Sequence, residues 1–235
     1  MTAAQALEML MVWTPFLAEG FLWNILVSIA AMAIGTPIGI VLARLRLAGS
    51  RTGAWLTHAA RLPPTFVLIF YFAYILPREI SLAGVEIHFA AWLKAALALA
   101  VAVIGFVSDN ALSSLRHLRR GERIEALYFL PAWTTYFVII VMASSTASVI
   151  GVPEIVYRAN TVIAATGEAG ATLWVYSYAM LWFLLFCWPL SCLMSRIRDR
   201  LEGRGNEADA KASHHGAPHH GASQHGAPQH GASQS

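Results

Sequence analysis

The side chains with the most recognition chemistry cluster at residues 115–131, LRHLRRGERIEALYFLP. Arg116, Arg119, Arg120 and Arg123 stand there with Glu122 and Glu125. Guanidinium and carboxylate groups at this density bind partners through ion pairs and hydrogen bonds. Long apolar runs lie on both sides, 89–108 before and 127–150 after. The charged stretch must therefore sit in water, and its arginine excess places that water on the cytoplasmic side of a membrane. Gly121 permits a backbone turn that bulkier residues resist, and Ile124-Glu125-Ala126-Leu127 fits a short helix after it. A helix lying across the membrane face is something a soluble partner can grip. The alternative use of the same loop is a stop-transfer and topology signal.

Other polar residues fall inside the apolar pattern. Asp109 closes the run 89–108. A carboxylate at the centre of a bilayer costs about 2.5–3.5 kcal/mol on insertion scales, so it needs a role on a polar path or a partner. The partner at hand in sequence is Arg116, which would make Asp109 a marker of the cytoplasmic interface. Ser144, Ser145, Thr146 and Ser148 form a small, hydroxylated stretch in the run 127–150. They either line a translocation path or pack helices, their hydroxyls bonding the preceding turn. Glu154 and Arg158 are one turn apart and read as a solvated pair on a surface helix. Cys187 and Cys192 lie in the last apolar run and read as free thiols. No phosphate-cradling glycine loop, metal-ligand cluster or nucleophile–base set is present. The chain is therefore expected to be no enzyme, to hold no cofactor or metal, and not to hydrolyse ATP.

The elements that must position these residues are membrane helices. Of 235 residues 57% are hydrophobic and 12% charged, too apolar for an ordinary soluble domain. The net charge of +3 comes from scattered arginines, which argues against a nucleic-acid surface. Residues 1–19 carry Glu8 and Pro15 and read as an amphipathic, interfacial segment. Region 20–200 then divides into five spans, near 21–43, 55–76, 89–108, 127–150 and 171–195. Pro63-Pro64 should kink the second, and Gly35-Thr-Pro-Ile-Gly39 should kink the first and let a neighbouring helix approach closely. Lys94, near an outer end, is expected to snorkel. Basic clusters follow spans one, three and five, which puts the N-terminus outside and the C-terminus in the cytoplasm. Residues 201–235 end in a five-residue repeat of the HHGAP and QHGAS type and read as a disordered His/Gly/Ala-rich tail. Its histidines offer a soft transition metal a ligand set, although repeat expansion in a disordered tail explains them as well.

Several stretches together resemble the permease subunits of bacterial ABC importers, in the branch for polar amino acids of the histidine, glutamine and glutamate type. They are Gly20-Phe-Leu-Trp-Asn-Ile-Leu-Val-Ser28, the Pro63-Pro64 span ending in Leu76-Pro77, Phe106-Val-Ser-Asp109, Arg120-Gly121-Glu122 through Glu125-Ala126, and Ser148 to Ile155 followed by Arg158-Ala-Asn160. The resemblance covers roughly 20–198. It implies an all-α integral membrane fold with five transmembrane helices, and Gly121, Glu122, Glu125 and Ala126 as the ATPase-coupling segment. It also implies a second permease subunit (identical or related), two cytoplasmic ATPase subunits, an extracytoplasmic solute-binding protein, a lipid environment and the bacterial cytoplasmic membrane. In such an importer, ATP-driven closure of the ATPases would draw the coupling segments together and turn the spans from inward-open to outward-open. The family's usual coupling motif is Arg-Gly-Gln-x-Glu-Ala-Ala. Here Glu122 replaces Gln, Leu127 replaces the second Ala, and the loop beyond is shortened so that Leu130-Pro131 already begin the next span. The rival is a non-transporting permease relative, or a metal-responsive membrane component that uses the histidine tail.

Overall fold

The computed structural model describes residues 2–77, 79–82, 85–168 and 170–215, without the side chains of 79–82, 85–88, 124–125 and 204–215. In chain order the elements are α1 (Ala3–Leu47), α2 (Arg51–Arg61), α3 (Thr65–Ile75), β1 (Glu79–Leu82), β2 (Val85–His88), α4 (Ala91–Arg120), α5 (Arg123–Leu127), α6 (Phe129–Ala143), a 3-10 segment (Ser144–Ile150), α7 (Ile155–Thr166) and α8 (Ala171–His215). The fold is helical, with one antiparallel hairpin pairing Glu79 with His88 and Leu82 with Val85.

Four of the described helical stretches are long and apolar enough to cross a membrane: Ala3–Leu47, Ala91–Arg120, Phe129–Ile150 and Ala171–Gly203. The expected second span is not one helix. It is α2 and α3, 11 residues each. Pro63 and Pro64 lack the N–H groups that would continue the ladder, so the helix stops and Pro64 starts a new one. At 1.5 Å per residue α3 reaches only about 17 Å, short of the roughly 30 Å hydrocarbon core. The five expected spans thus become four continuous ones and a broken pair.

The N-terminal segment also differs from expectation. Residues 3–19 do not form a separate helix ending at Pro15; they are the first turns of the 45-residue α1. Proline forfeits one ladder bond, but Thr14 Oγ1 donates to the Leu10 carbonyl at 2.7 Å. Leu10 and Leu17 then bury against Ala159, Val162 and Val175 of α7 and α8. Packing on one face outweighs the missing bond.

The core lies where α1 crosses α4. Val27, Ala31, Leu99, Val103 and Val107 are buried there. Gly35 and Gly39 allow the approach: a Cβ on Gly35 would stand 2.6 Å from Val103 Cβ and 2.8 Å from the Ala100 carbonyl, and one on Gly39 would stand 2.7 Å from Val107 Cβ. Small residues four apart thus serve close helix packing, as expected. Lys94 does not snorkel. It is 6% exposed and its Nζ donates to the Ala73 and Leu76 carbonyls. These carbonyls end α3 and have no partner in the helix ladder, and the ammonium also meets the negative end of that helix dipole.

At the other extreme, α8 exposes Leu173, Met180, Leu184, Leu185 and Trp188, an apolar surface too large for water and suited to lipid or a second protein. The helix continues to His215, past residue 201 where disorder was expected to begin. The rest of the repeat, from 216 on, lies outside the described residues.

Candidate functional site

The charged stretch 115–131 is mostly helical. α4 does not end near Ser108; it runs to Arg120, and hydropathy alone cannot tell such a helix from a loop. Gly121 stops it with φ of 84°, in the left-handed region that favours glycine. The Gly121 and Glu122 amides donate to the Leu118 and His117 carbonyls at 3.1 and 3.0 Å. His117, Arg119 and Arg120 occupy the last turn, where cations suit the helix dipole. His117 Nδ1 and Glu122 Oε2 are 2.6 Å apart, so the side chains clasp the same turn. The five-residue α5 follows, packed against α4 and α8. Glu122 is exposed and Ala126 half-buried. The Glu125 side chain lies outside the described residues.

At this same basic end, Asp109 meets partners from two other helices, and Arg116 is not one of them. Its Oδ1 accepts from Arg46 Nη1 at 2.7 Å, and its Oδ2 accepts from Arg61 Nη1. Arg46 Nη1 also donates to Ser108 Oγ at 3.0 Å, and Ser108 shares a hydrogen bond of 2.8 Å with Thr57. One carboxylate thereby joins α1, α2 and α4. Arg61 reaches it across Gly105, where a Cβ would stand 2.5 Å from Arg61 Cγ. The partners are 63 and 48 residues away in sequence, so the nearer Arg116 was the natural but wrong choice.

The hydroxyl stretch is distributed among different surroundings. Ser144, Ser145, Thr146 and Ser148 each donate to the carbonyl three residues earlier, at 2.7, 2.8, 2.7 and 3.0 Å. This matches the 3-10 geometry of the segment. Ser144 is buried and also accepts from Asn24 Nδ2 at 2.9 Å. Ser145 alone of the four borders a groove of about 740 Å³ between α6 and α8, whose other walls are mostly apolar, such as Met142, Phe183 and Leu184.

Glu154 and Arg158 are not a solvated pair. Glu154 is fully buried and caps α7, accepting from the Val156 and Tyr157 amides at 3.0 and 2.8 Å and from Asn24 Nδ2 at 3.1 Å. Asn24 Oδ1 in turn accepts from the Ile155 amide at 3.1 Å. Burial pushes the Glu154 carboxyl above its ordinary range, while the amides and Asn24 pull it the other way. Arg158 turns to α1 instead, donating to Glu19 Oε2 at 2.7 Å and to the Phe16 carbonyl at 3.0 Å. Asn24 was not singled out in the sequence, and its partners lie 120 or more residues away.

A cavity of about 760 Å³, lined in part by polar side chains, opens between α4, α6 and α8 near the basic end. Asn110, Ser113, Ser114 and His117 supply its α4 wall, with Ser195 and Arg198 opposite on α8. The stack of Phe106 on Tyr136, 3.8 Å between ring centroids, lies along it. Its signal was legible: polar residues at 110, 113, 114 and 117 repeat at helical spacing. The stripe lies on the turns by which α4 continues past the expected span 89–108. Among the described residues no cluster of three or more His, Cys, Asp or Glu offers a metal site.

The arrangement is one of helices, a polar vestibule and a capped turn, and it matches a solved transporter. A crystal structure of an amino acid ABC transporter with histidines superposes on the chain with a TM-score of 0.65 at 17% sequence identity, over 81% of this chain and 96% of that one. The chain has this transporter fold. No family model and no curated sequence matches it. The match agrees with a multi-pass membrane protein and with the ABC permease architecture that the sequence resembles.

Proposed function

We propose that the chain is the permease subunit of an ABC importer for a small polar solute, an amino acid. The observation that carries this reading is the transporter fold over nearly the whole of the matched chain. In this reading the vestibule beside Asn110 and His117 belongs to the solute path. The α5 segment, with Gly121, Glu122, Glu125 and Ala126, docks on an ATPase subunit. A second permease chain covers the exposed face of α8, and an extracytoplasmic binding protein delivers the solute. Arg46 and Arg61 meet on Asp109 in the half of α4 that leads to α5, and Arg44 and Arg51 stand beside them in the chain. The positive-inside rule then places that end in the cytoplasm of a bacterial cell, with the N-terminus outside. The turn at Gly121 follows directly on the end of α4, so that in this reading a movement of α5 reaches the spans through that helix.

Ala126→Trp and Glu125→Lys are expected to abolish co-purification with the ATPase subunit that the wild-type chain retains, while membrane insertion stays at wild-type abundance. A large side chain at Ala126 would clash in the partner's groove, and one broken charge pair at an interface costs about 2–5 kcal/mol. Full co-purification of both variants would reduce the loop to a topology signal.

A further inference from the structure

We propose that the outward face of α2, together with Arg44, is a binding seat for an anionic phospholipid of the bilayer leaflet at the basic end. The helix is inverted relative to one on a soluble protein. Its buried face is polar or small: Thr57 is 2% exposed and bonded to Ser108, and Gly53 packs against Leu45 and Arg46. Its open face carries the apolar bulk, with Trp55 70% and Leu62 78% exposed. Arg51, Trp55, His58 and Leu62 follow one another at spacings of four, three and four, so they form a single stripe along the helix. Leu56, also exposed, widens it.

Charge decides which lipid. No acidic residue occurs between Glu19 and Glu79, whereas Arg44, Arg46, Arg51 and Arg61 do. Asp109 from α4 satisfies Arg46 and Arg61. Arg44 and Arg51 have no acidic partner among the described residues. Four guanidiniums against one carboxylate leave this corner with three uncompensated positive charges. A short helix with a tryptophan and leucines on one side and arginines at its border settles at the headgroup–acyl boundary. There an indole sits at headgroup depth and each nearby arginine attracts anionic lipid. The acyl chain lies along Trp55 and Leu62, and the phosphate meets Arg51 and Arg44.

The test uses the full chain in nanodiscs of phosphatidylcholine with a minority of phosphatidylglycerol, with retained lipids counted by native mass spectrometry. The wild type is expected to hold phosphatidylglycerol several-fold above its bulk share, and less as ionic strength rises. The double variant Arg44→Gln/Arg51→Gln is expected to lose the enrichment, and Trp55→Ala to lower total retained lipid. Arg196→Gln/Arg200→Gln, at the exposed end of α8, is expected to keep both. Equal enrichment in the wild type and in Arg44→Gln/Arg51→Gln would overturn the proposal. A fall in the number of protein copies per disc on Trp55→Ala, with lipid unchanged, would also overturn it and assign the face to a second chain. None of these readouts involves ATP or solute, so their failure is separable from failure of the importer reading.

Discussion

Gly35→Leu is expected to prevent the α1–α4 core from closing. The side chain would begin at a Cβ 2.6 Å from Val103 Cβ and 2.8 Å from the Ala100 carbonyl. No change of rotamer relieves either contact, because Val103 Cβ is fixed by its own backbone and the carbonyl is backbone inside a continuous helix. Relief then requires α1 and α4 to separate along the buried faces that hold Ala31, Leu99 and Val107. Overpacking in an ordinary core costs about 1–3 kcal/mol and sometimes more, and an interface between two long helices has little slack. The expected result is a large loss of monodisperse protein after detergent extraction and a lowered thermal midpoint for what remains. Gly203→Leu is the control, because nothing stands within 4 Å of a Cβ there. A wild-type midpoint for Gly35→Leu would mean that the helices do not cross at Gly35.

Glu154→Ala is the second large effect. The carboxylate is fully buried and is the acceptor for Asn24 Nδ2 and for the Val156 and Tyr157 amides. Removing it strands those donors, and each buried unsatisfied group costs about 1–3 kcal/mol. It also frees the N-terminus of α7 from α1, since Asn24 would retain only its bonds to Ser144 and the Ile155 amide. Glu154→Ala should therefore lower the thermal midpoint strongly and expose the α7 segment to protease. Glu154→Gln should fall between, because one amide oxygen replaces two carboxylate acceptors. The pH dependence has a definite sign. Burial raises the folded-state pKa of Glu154 above its unfolded value, so its contribution to stability is full below the ordinary carboxylate range and declines as pH rises through the raised value. Glu154→Gln should remove that component of the decline, and equal pH profiles for wild type and Glu154→Gln would contradict the assignment.

Local signals in the sequence were read well and distant ones were not. Gly35 and Gly39 announced close packing through spacing alone, and the structure places Val103 and Val107 against them. Gly121 announced a turn followed by a short helix, and both are present. The proline pair announced a disturbance, but its size depends on whether neighbours bridge the break. At Pro15 the packing of Leu10 and Leu17 carries the helix through, whereas at Pro63-Pro64 two successive missing donors end it. Charge near a span end was read as a loop, yet a helix can project into water without changing conformation, as α4 does to Arg120 and α8 to His215. That reading concealed the polar stripe from Asn110 to His117. Asp109 and Glu154 were assigned to the nearest opposite charge in sequence. Asp109 finds its partners on α1 and α2, and Glu154 bonds Asn24 of α1 as well as the first amides of its own helix; no local rule points to Arg46 or Asn24.

Reconstitution tests the importer assignment most directly. The chain is placed in sealed vesicles with the ATPase subunits that co-purify with it and a solute-binding protein from the same cells, and ATP hydrolysis and amino acid uptake are measured together. The account predicts hydrolysis that rises when loaded binding protein is added and uptake that requires ATP, both lost in Ala126→Trp although that chain inserts normally. Hydrolysis indifferent to the binding protein, or uptake undiminished in Ala126→Trp, would contradict it.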